Sequence, residues 1–298
     1  MQKTAQPGIR EFAVAGPDEG PYGIAAGPDD ALWLTFAHSG EIARLTLDGQ
    51  LSRYSAGSAS CRPTVITRGP DGALWFTRTD GRIGRITTGG ELTEFALPDP
   101  AASPFGICAG PDGALWFTEM STDRIGRITV DGDIAHFALP AAGAFPSFIT
   151  PGPGGALWFT LNQADAIGRI DLDGEVALHS LPDGTAPVGI TCGSDGALWF
   201  VGIAAGKVGR LEVDGALREF PLPDPGAKPH AITAAPTGGC WFTQWGGNRV
   251  GRISPDGHIV EHDLPTPDSE PHGIAIGPDG AAWTALEIGS VARIAHDH

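Results

Sequence analysis

No apolar run in this 298-residue chain is long enough to cross a bilayer, and no stretch carries the hydrophobic period of an amphipathic helix. Helical membrane proteins and helix bundles are thereby excluded. Positive charge is scarce, with 19 Lys and Arg against 35 Asp and Glu. The resulting formal net charge of −16 repels phosphate backbones and anionic lipid, so neither nucleic acid nor a membrane surface is an expected partner. The opening Met1-Gln2-Lys3-Thr4-Ala5-Gln6-Pro7-Gly8 lacks the apolar segment of a secretory signal, and a cytoplasmic location is expected. Cysteine is limited to Cys61, Cys108, Cys192 and Cys240, which show no metal-ligand spacing and are expected as buried free thiols. No linker or low-complexity tract interrupts residues 1–298, which are expected to form a single domain.

What the chain does have is a repeat. Trp33, Trp75, Trp116, Trp158, Trp199, Trp241 and Trp283 sit in nearly the same phrase, at intervals of 42, 41, 42, 41, 42 and 42 residues. Each copy holds apolar runs of five to eight residues separated by Gly-Pro-Asp-Gly or Asp-Gly turns, which suits four short antiparallel strands. Such a unit is a propeller blade. The seventh copy lacks a fourth strand, while Ile9-Arg10-Glu11-Phe12-Ala13-Val14 reads like the fourth strand Leu217-Arg218-Glu219-Phe220-Pro221-Leu222. The expectation is therefore an all-β, seven-bladed β-propeller, its ring closed by the N-terminal strand. The seven repeated tryptophans are blade core. With the sheets closed into a ring, a monomer is expected.

Repeat-equivalent positions share a backbone role, so departures from the repeat mark what is not scaffold. The residue after the proline that opens each first strand runs Tyr22, Thr64, Phe105, Ser147, Val188, His230, His272. These side chains should ring one mouth of the channel. A second ring follows the tryptophan strand: Ala37, Thr79, Met120, Asn162, Ile203, Trp245, Glu287. A third lies two residues before the first: Gly20, Arg62, Ser103, Phe145, Ala186, Lys228, Glu270. Blade seven thus presents Glu270, His272 and Glu287, flanked by His230 and Trp245 on blade six and Tyr22 on blade one. Two carboxylates and a histidine can hold a hard divalent cation such as magnesium, and the paired histidines can supply a base. Arg78 and Glu119, one residue before the second ring, are expected to point toward the mouth. His38 in a loop, His136, His179 and His262 on outer strands, His258 after a turn, and His296 and His298 in the tail are expected outside the site.

The phrases Lys228-Pro229-His230-Ala231-Ile232-Thr233, Glu270-Pro271-His272-Gly273-Ile274 and Trp241-Phe242-Thr243-Gln244-Trp245-Gly246-Gly247-Asn248 are distinctive. With Gly20-Pro21-Tyr22-Gly23-Ile24, Pro146-Ser147-Phe148-Ile149-Thr150 and Asn162-Gln163, they resemble the virginiamycin B lyase (streptogramin B lyase) family over the whole chain. The resemblance implies a magnesium-dependent enzyme that linearises cyclic depsipeptide antibiotics by elimination at the ester, conferring resistance. It implies His272 as general base, Glu270 and Glu287 as magnesium ligands, His230 as a substrate contact, and Tyr22 and Trp245 as pocket walls. Two departures bear on how the same antibiotic is held: Gln244 stands where the family commonly has Glu, and Phe105 where tyrosine is expected. A lactonase-type hydrolase of another cyclic ester and a non-catalytic binding propeller are the alternatives. Seven blades rather than six count against the first, and a base and two carboxylates on one blade against the second.

Overall fold

The computed structural model describes residues 8–295; His296 and His298 lie outside them. Among the described residues, twenty-eight strands make seven four-stranded antiparallel sheets. Six sheets use consecutive strands. Blade three, for instance, consists of Pro104–Ala109, Leu115–Glu119, Arg124–Ile128 and Ile134–Ala138. The seventh sheet adds Ile9–Ala13 to the outer edge of Ser290–Ile294, pairing Ile9 with Ile294 and Ala13 with Ser290. The ring is closed as the sequence predicts.

Packing inside a blade follows from one aromatic pair. The repeated tryptophan is buried and stacks on an aromatic ring of the fourth strand: Tyr54, Phe95, Phe137, His179 and Phe220 in blades one to five. In blade seven the partner of Trp283 is Phe12, with centroids 5.3 Å apart, so the closing strand supplies the ring that its own blade lacks. His262 takes this place beside Trp241 and is buried, and His179 is likewise a stacking partner. Neither simply faces solvent, because a fourth strand turns alternate residues inward. The turn aspartate ties the tryptophan to the third strand: Asp112 accepts from Trp116 Nε1 at 3.1 Å and from Arg127 Nε at 2.7 Å.

Neighbouring blades are joined by a hydroxyl rung. A threonine two residues after the tryptophan donates to a first-ring carbonyl of the next blade, as Thr118 to Ser147 at 2.6 Å and Thr243 to His272 at 2.9 Å. Valine and alanine replace it at Val201 and Ala285, the two steps that lead into His230 and Tyr22. First strands line the central channel, a cavity of about 240 Å³ walled by residues such as Ile24, Ile66, Ile107, Ile149, Ile232 and Ile274. Cys61, Cys108 and Cys240 are buried free thiols, and Cys192 is half-buried and also free. No helix among the described residues is long and apolar enough to cross a membrane.

Candidate active site

Two backbone devices, repeated in every blade, build the mouth. Each first strand starts at a proline and slips register over the next three residues, as between Pro271 and Ile274. A bulge of this kind re-aims a side chain, and the residue it carries is the first-ring residue, His272 in blade seven. The third-ring residue is left-handed in all seven blades, from φ 40° at Arg62 to φ 63° at Gly20, with Glu270 at 49°. For a non-glycine residue that conformation costs about 1–2 kcal/mol. It turns the carbonyl to accept the second-ring N–H of the same blade: Glu287 to Glu270 at 3.3 Å, Trp245 to Lys228 at 3.1 Å. Residues far apart in sequence are thereby set side by side.

Blade seven fills all three positions with ionisable groups. One ligand atom each from Glu270, His272 and Glu287 lies within 4.8 Å of the others. His272 Nε2 is 2.5 Å from Glu287 Oε2, and the buried imidazole stacks on Tyr22 with centroids 4.5 Å apart. Tyr22 Oη in turn is 3.3 Å from His230 Nε2. The His230 ring stands edge-on to Tyr22 at 5.9 Å and to His272 at 5.1 Å. Five of the six residues singled out from the sequence are therefore one connected group. Trp245 stands at the same level of blade six, beneath the Lys228 ammonium, which lies 4.7 Å from its ring centroid.

Electrostatics separates the two histidines. Burial, reinforced by the neighbouring His272, lowers His230 to about 3, so its ring is neutral at physiological pH. Burial raises the Tyr22 hydroxyl, and the Glu287 charge adds to the effect. The hydrogen bond with His272 holds Glu287 below its usual carboxylate range, outweighing the cost of burial. Glu287 is thus an anion beside a second carboxylate, a hard oxygen donor set that fits a divalent cation. Both glutamates open onto a cleft of about 340 Å³, lined also by Pro17, Asp18, His38, Asp268 and Ile288. His272 touches both Glu287, which lines that cleft, and Tyr22, which lines the channel.

Two expectations are corrected, those for Arg78 and Glu119, and Gln244 shares their geometry. Arg78 is buried and pairs with Asp80 at 2.6 Å and with Glu94. Glu119 is fully buried, with Oε1 2.8 Å from His136 Nδ1 and Oε2 accepting from Thr122 at 2.7 Å. Gln244 is fully buried and donates to Glu261 at 2.8 Å. All three point away from the mouth, because side chains alternate along a strand. They reach instead to the fourth-strand residue that stands opposite a third-strand glycine, Gly84, Gly126 or Gly251. His136 is half-buried against Glu119 rather than facing solvent.

Two residues were missed. Phe148 stands edge-on to His230 at 5.9 Å and to Phe105 at 5.2 Å, extending the aromatic floor toward blade three. Its signal was present, since equivalent positions hold Gly23, Val65, Gly106, Gly189, Ala231 and Gly273. His38, set aside as a loop residue, places Nε2 3.4 Å from Glu287 Oε1.

Known proteins share this sequence pattern and this fold. A sequence model of the virginiamycin B lyase family matches residues 7–294. Selenomethionine-substituted virginiamycin B lyase from Staphylococcus aureus superposes with a TM-score of 0.93 at 41% identity, covering 97% of this chain and 99% of that one. A catalytically inactive histidine-to-alanine form of the S. aureus enzyme with quinupristin gives the same TM-score, identity and coverage. The virginiamycin B lyase of Mycolicibacterium smegmatis is 53% identical over 50 residues, 17% of either chain, so the matched segment spans under a fifth of that relative. With the family match extending over nearly every described residue, the chain belongs to the virginiamycin B lyase family.

Proposed function

We propose that this protein is a metal-dependent lyase that linearises streptogramin B-type cyclic depsipeptides by β-elimination at the threonyl ester. The observation that carries the proposal is the Glu270–His272–Glu287 cluster, a base and two hard carboxylates gathered within 4.8 Å at one mouth of the propeller. Family membership and a structural relative with quinupristin support the substrate class.

In such a substrate a threonine side-chain oxygen is acylated to close the ring. Its Cα–H is adjacent to a carbonyl, and the acyloxy group leaves from Cβ. His272 takes the Cα proton, the freed electron pair forms the Cα–Cβ double bond, and the Cβ–O bond breaks to release a carboxylate. Glu287 Oε2, 2.5 Å from Nε2, holds the ring in place and stabilises the charge it gains. Tyr22, stacked on the same ring, prevents it from swinging. Neutral His230 offers a polar contact to the peptide without adding charge beside His272. Trp245 and Tyr22 supply apolar walls. Glu270 and Glu287 would hold magnesium, which when bound supplies Lewis-acid polarisation of a substrate carbonyl. The product is an isomer of the substrate, a linear peptide with dehydrobutyrine where threonine stood; opening the ring in this way would inactivate the antibiotic.

The test is metal removal followed by restoration. Consumption of a streptogramin B should stop in EDTA and return with excess Mg²⁺. Turnover that continues undiminished in EDTA would refute the metal requirement.

A further inference from the structure

The acidic cleft between blades one and seven contains an imidazole that the mechanism above leaves unused. His38 Nε2 lies 3.4 Å from Glu287 Oε1, while Oε2 of the same carboxylate is engaged by His272. The loop bearing His38 is anchored to the segment before Pro21: the His38 N–H donates to Glu19 O at 3.1 Å, and the Ala37 N–H to Gly20 O at 2.8 Å.

Gly20 shows that this placement is built in. A Cβ on Gly20 would sit 2.7 Å from His38 Nδ1 and 2.9 Å from Cγ, so the ring occupies the space a side chain would take. Gly20 is the one glycine of the third ring, although the backbone there does not demand glycine. Arg62, Ser103, Phe145, Ala186, Lys228 and Glu270 adopt the same left-handed turn, with φ between 40° and 54°. Room for the imidazole is what sets blade one apart.

We infer that His38 is a positioning residue for Glu287, presenting an Nε2–H to Oε1 so that the carboxylate is held from both sides at the cation site. The inference rests on the metal-dependent reading above. A carboxylate with a partner near each oxygen keeps one orientation toward a cation, and partners of this kind are commonly worth 10–100-fold in metal affinity. The exposed carboxylates of Asp18 and Asp268 line the same cleft, so loss of a donor must be distinguished from a change in local charge.

The experiment is calorimetric titration of Mg²⁺ into the full-length protein and the variants His38→Ala, His38→Gln and Gly20→Ala, with thermal melts alongside. His38→Ala should bind Mg²⁺ roughly 10–100-fold more weakly. His38→Gln, which keeps an N–H donor, should recover most of that loss. Gly20→Ala should reproduce the alanine variant by displacing the ring, and Ala186 shows that alanine is accommodated in this turn. Unchanged Mg²⁺ affinity in His38→Ala, or a glutamine variant no better than alanine, would overturn the inference while leaving the metal reading intact. A wild-type protein that binds no Mg²⁺ would overturn the metal reading, and the positioning role with it.

Discussion

His272 and His230 occupy equivalent positions on adjacent blades, yet their surroundings assign them different work. His272 has a carboxylate 2.5 Å away to stabilise a gained proton, whereas His230 is held neutral among Tyr22, Phe148 and His272. Removing the proposed base should therefore affect turnover: His272→Ala is expected to lower kcat about 10²–10⁴-fold, measured at saturating Mg²⁺ and substrate. A variant with near wild-type kcat would exclude His272 as the base. His230 instead makes stability depend on pH. Its folded pKa, about 3, lies below the ordinary value of 6.5, so between these limits the unfolded chain binds the extra proton. The neutral ring's contribution is present above pH 6.5 and is lost as pH falls toward 3. Denaturant midpoints should decline over this window in the wild type and less steeply in His230→Phe; parallel profiles would show that burial of this ring is not the cause. At this scale breaks in the repeat drew attention to the Glu270–His272–Glu287 cluster, whereas Arg78 and Glu119 broke it for packing within their own blades. Phe148 broke it at a position normally small, and His38 was legible only jointly with the glycine that makes room for it.

At the level of strands and turns, the site depends on features that recur around the ring. The proline bulge and the left-handed third-ring residue recur in every blade, and the threonine rung in five of them, Val201 and Ala285 replacing it in blades five and seven. Thr243 is where scaffold meets site, accepting from the Ala231 N–H at 2.9 Å and donating to the His272 carbonyl at 2.9 Å. Thr243→Val would strand two buried polar groups, at a cost of about 1–3 kcal/mol each. Both stability and kcat should fall, because the freed carbonyl belongs to His272, the proposed base; loss of stability with unaltered kcat would show that the rung does not position His272. Strand positions were readable from apolar runs and Asp-Gly turns, since both report local geometry. The direction of the residue before the second ring was misjudged. Proximity to the mouth in sequence suggested that Arg78 and Glu119 face it, whereas strand alternation sends them to the fourth strand.

For the whole molecule, closure is the decisive event. Blade seven obtains its outer strand and its stacking aromatic from the opposite end of the chain, through Ile9–Ala13 and Phe12. Phe12→Ala should cost up to about 3 kcal/mol. Amides of Ser290–Ile294 should then exchange faster, and the adjacent Glu287 should make activity more sensitive to temperature. Phe220→Ala, which removes the equivalent ring inside a covalently continuous blade, serves as the comparison. Equal effects of the two changes would mean that closure has no special role. Fold and closure were legible because a 41–42-residue period and an incomplete last repeat admit few arrangements. The chemistry was legible only as a cluster of exceptions, and the substrate class came from family resemblance rather than from physics.

The central claim is elimination at an ester, and product mass tests it most directly. A streptogramin B incubated with the protein and Mg²⁺ should yield a product with altered chromatographic retention and unchanged mass, because no water is consumed. A product heavier by one water would contradict the account and make the protein a hydrolase; an untouched peptide would contradict the assigned substrate.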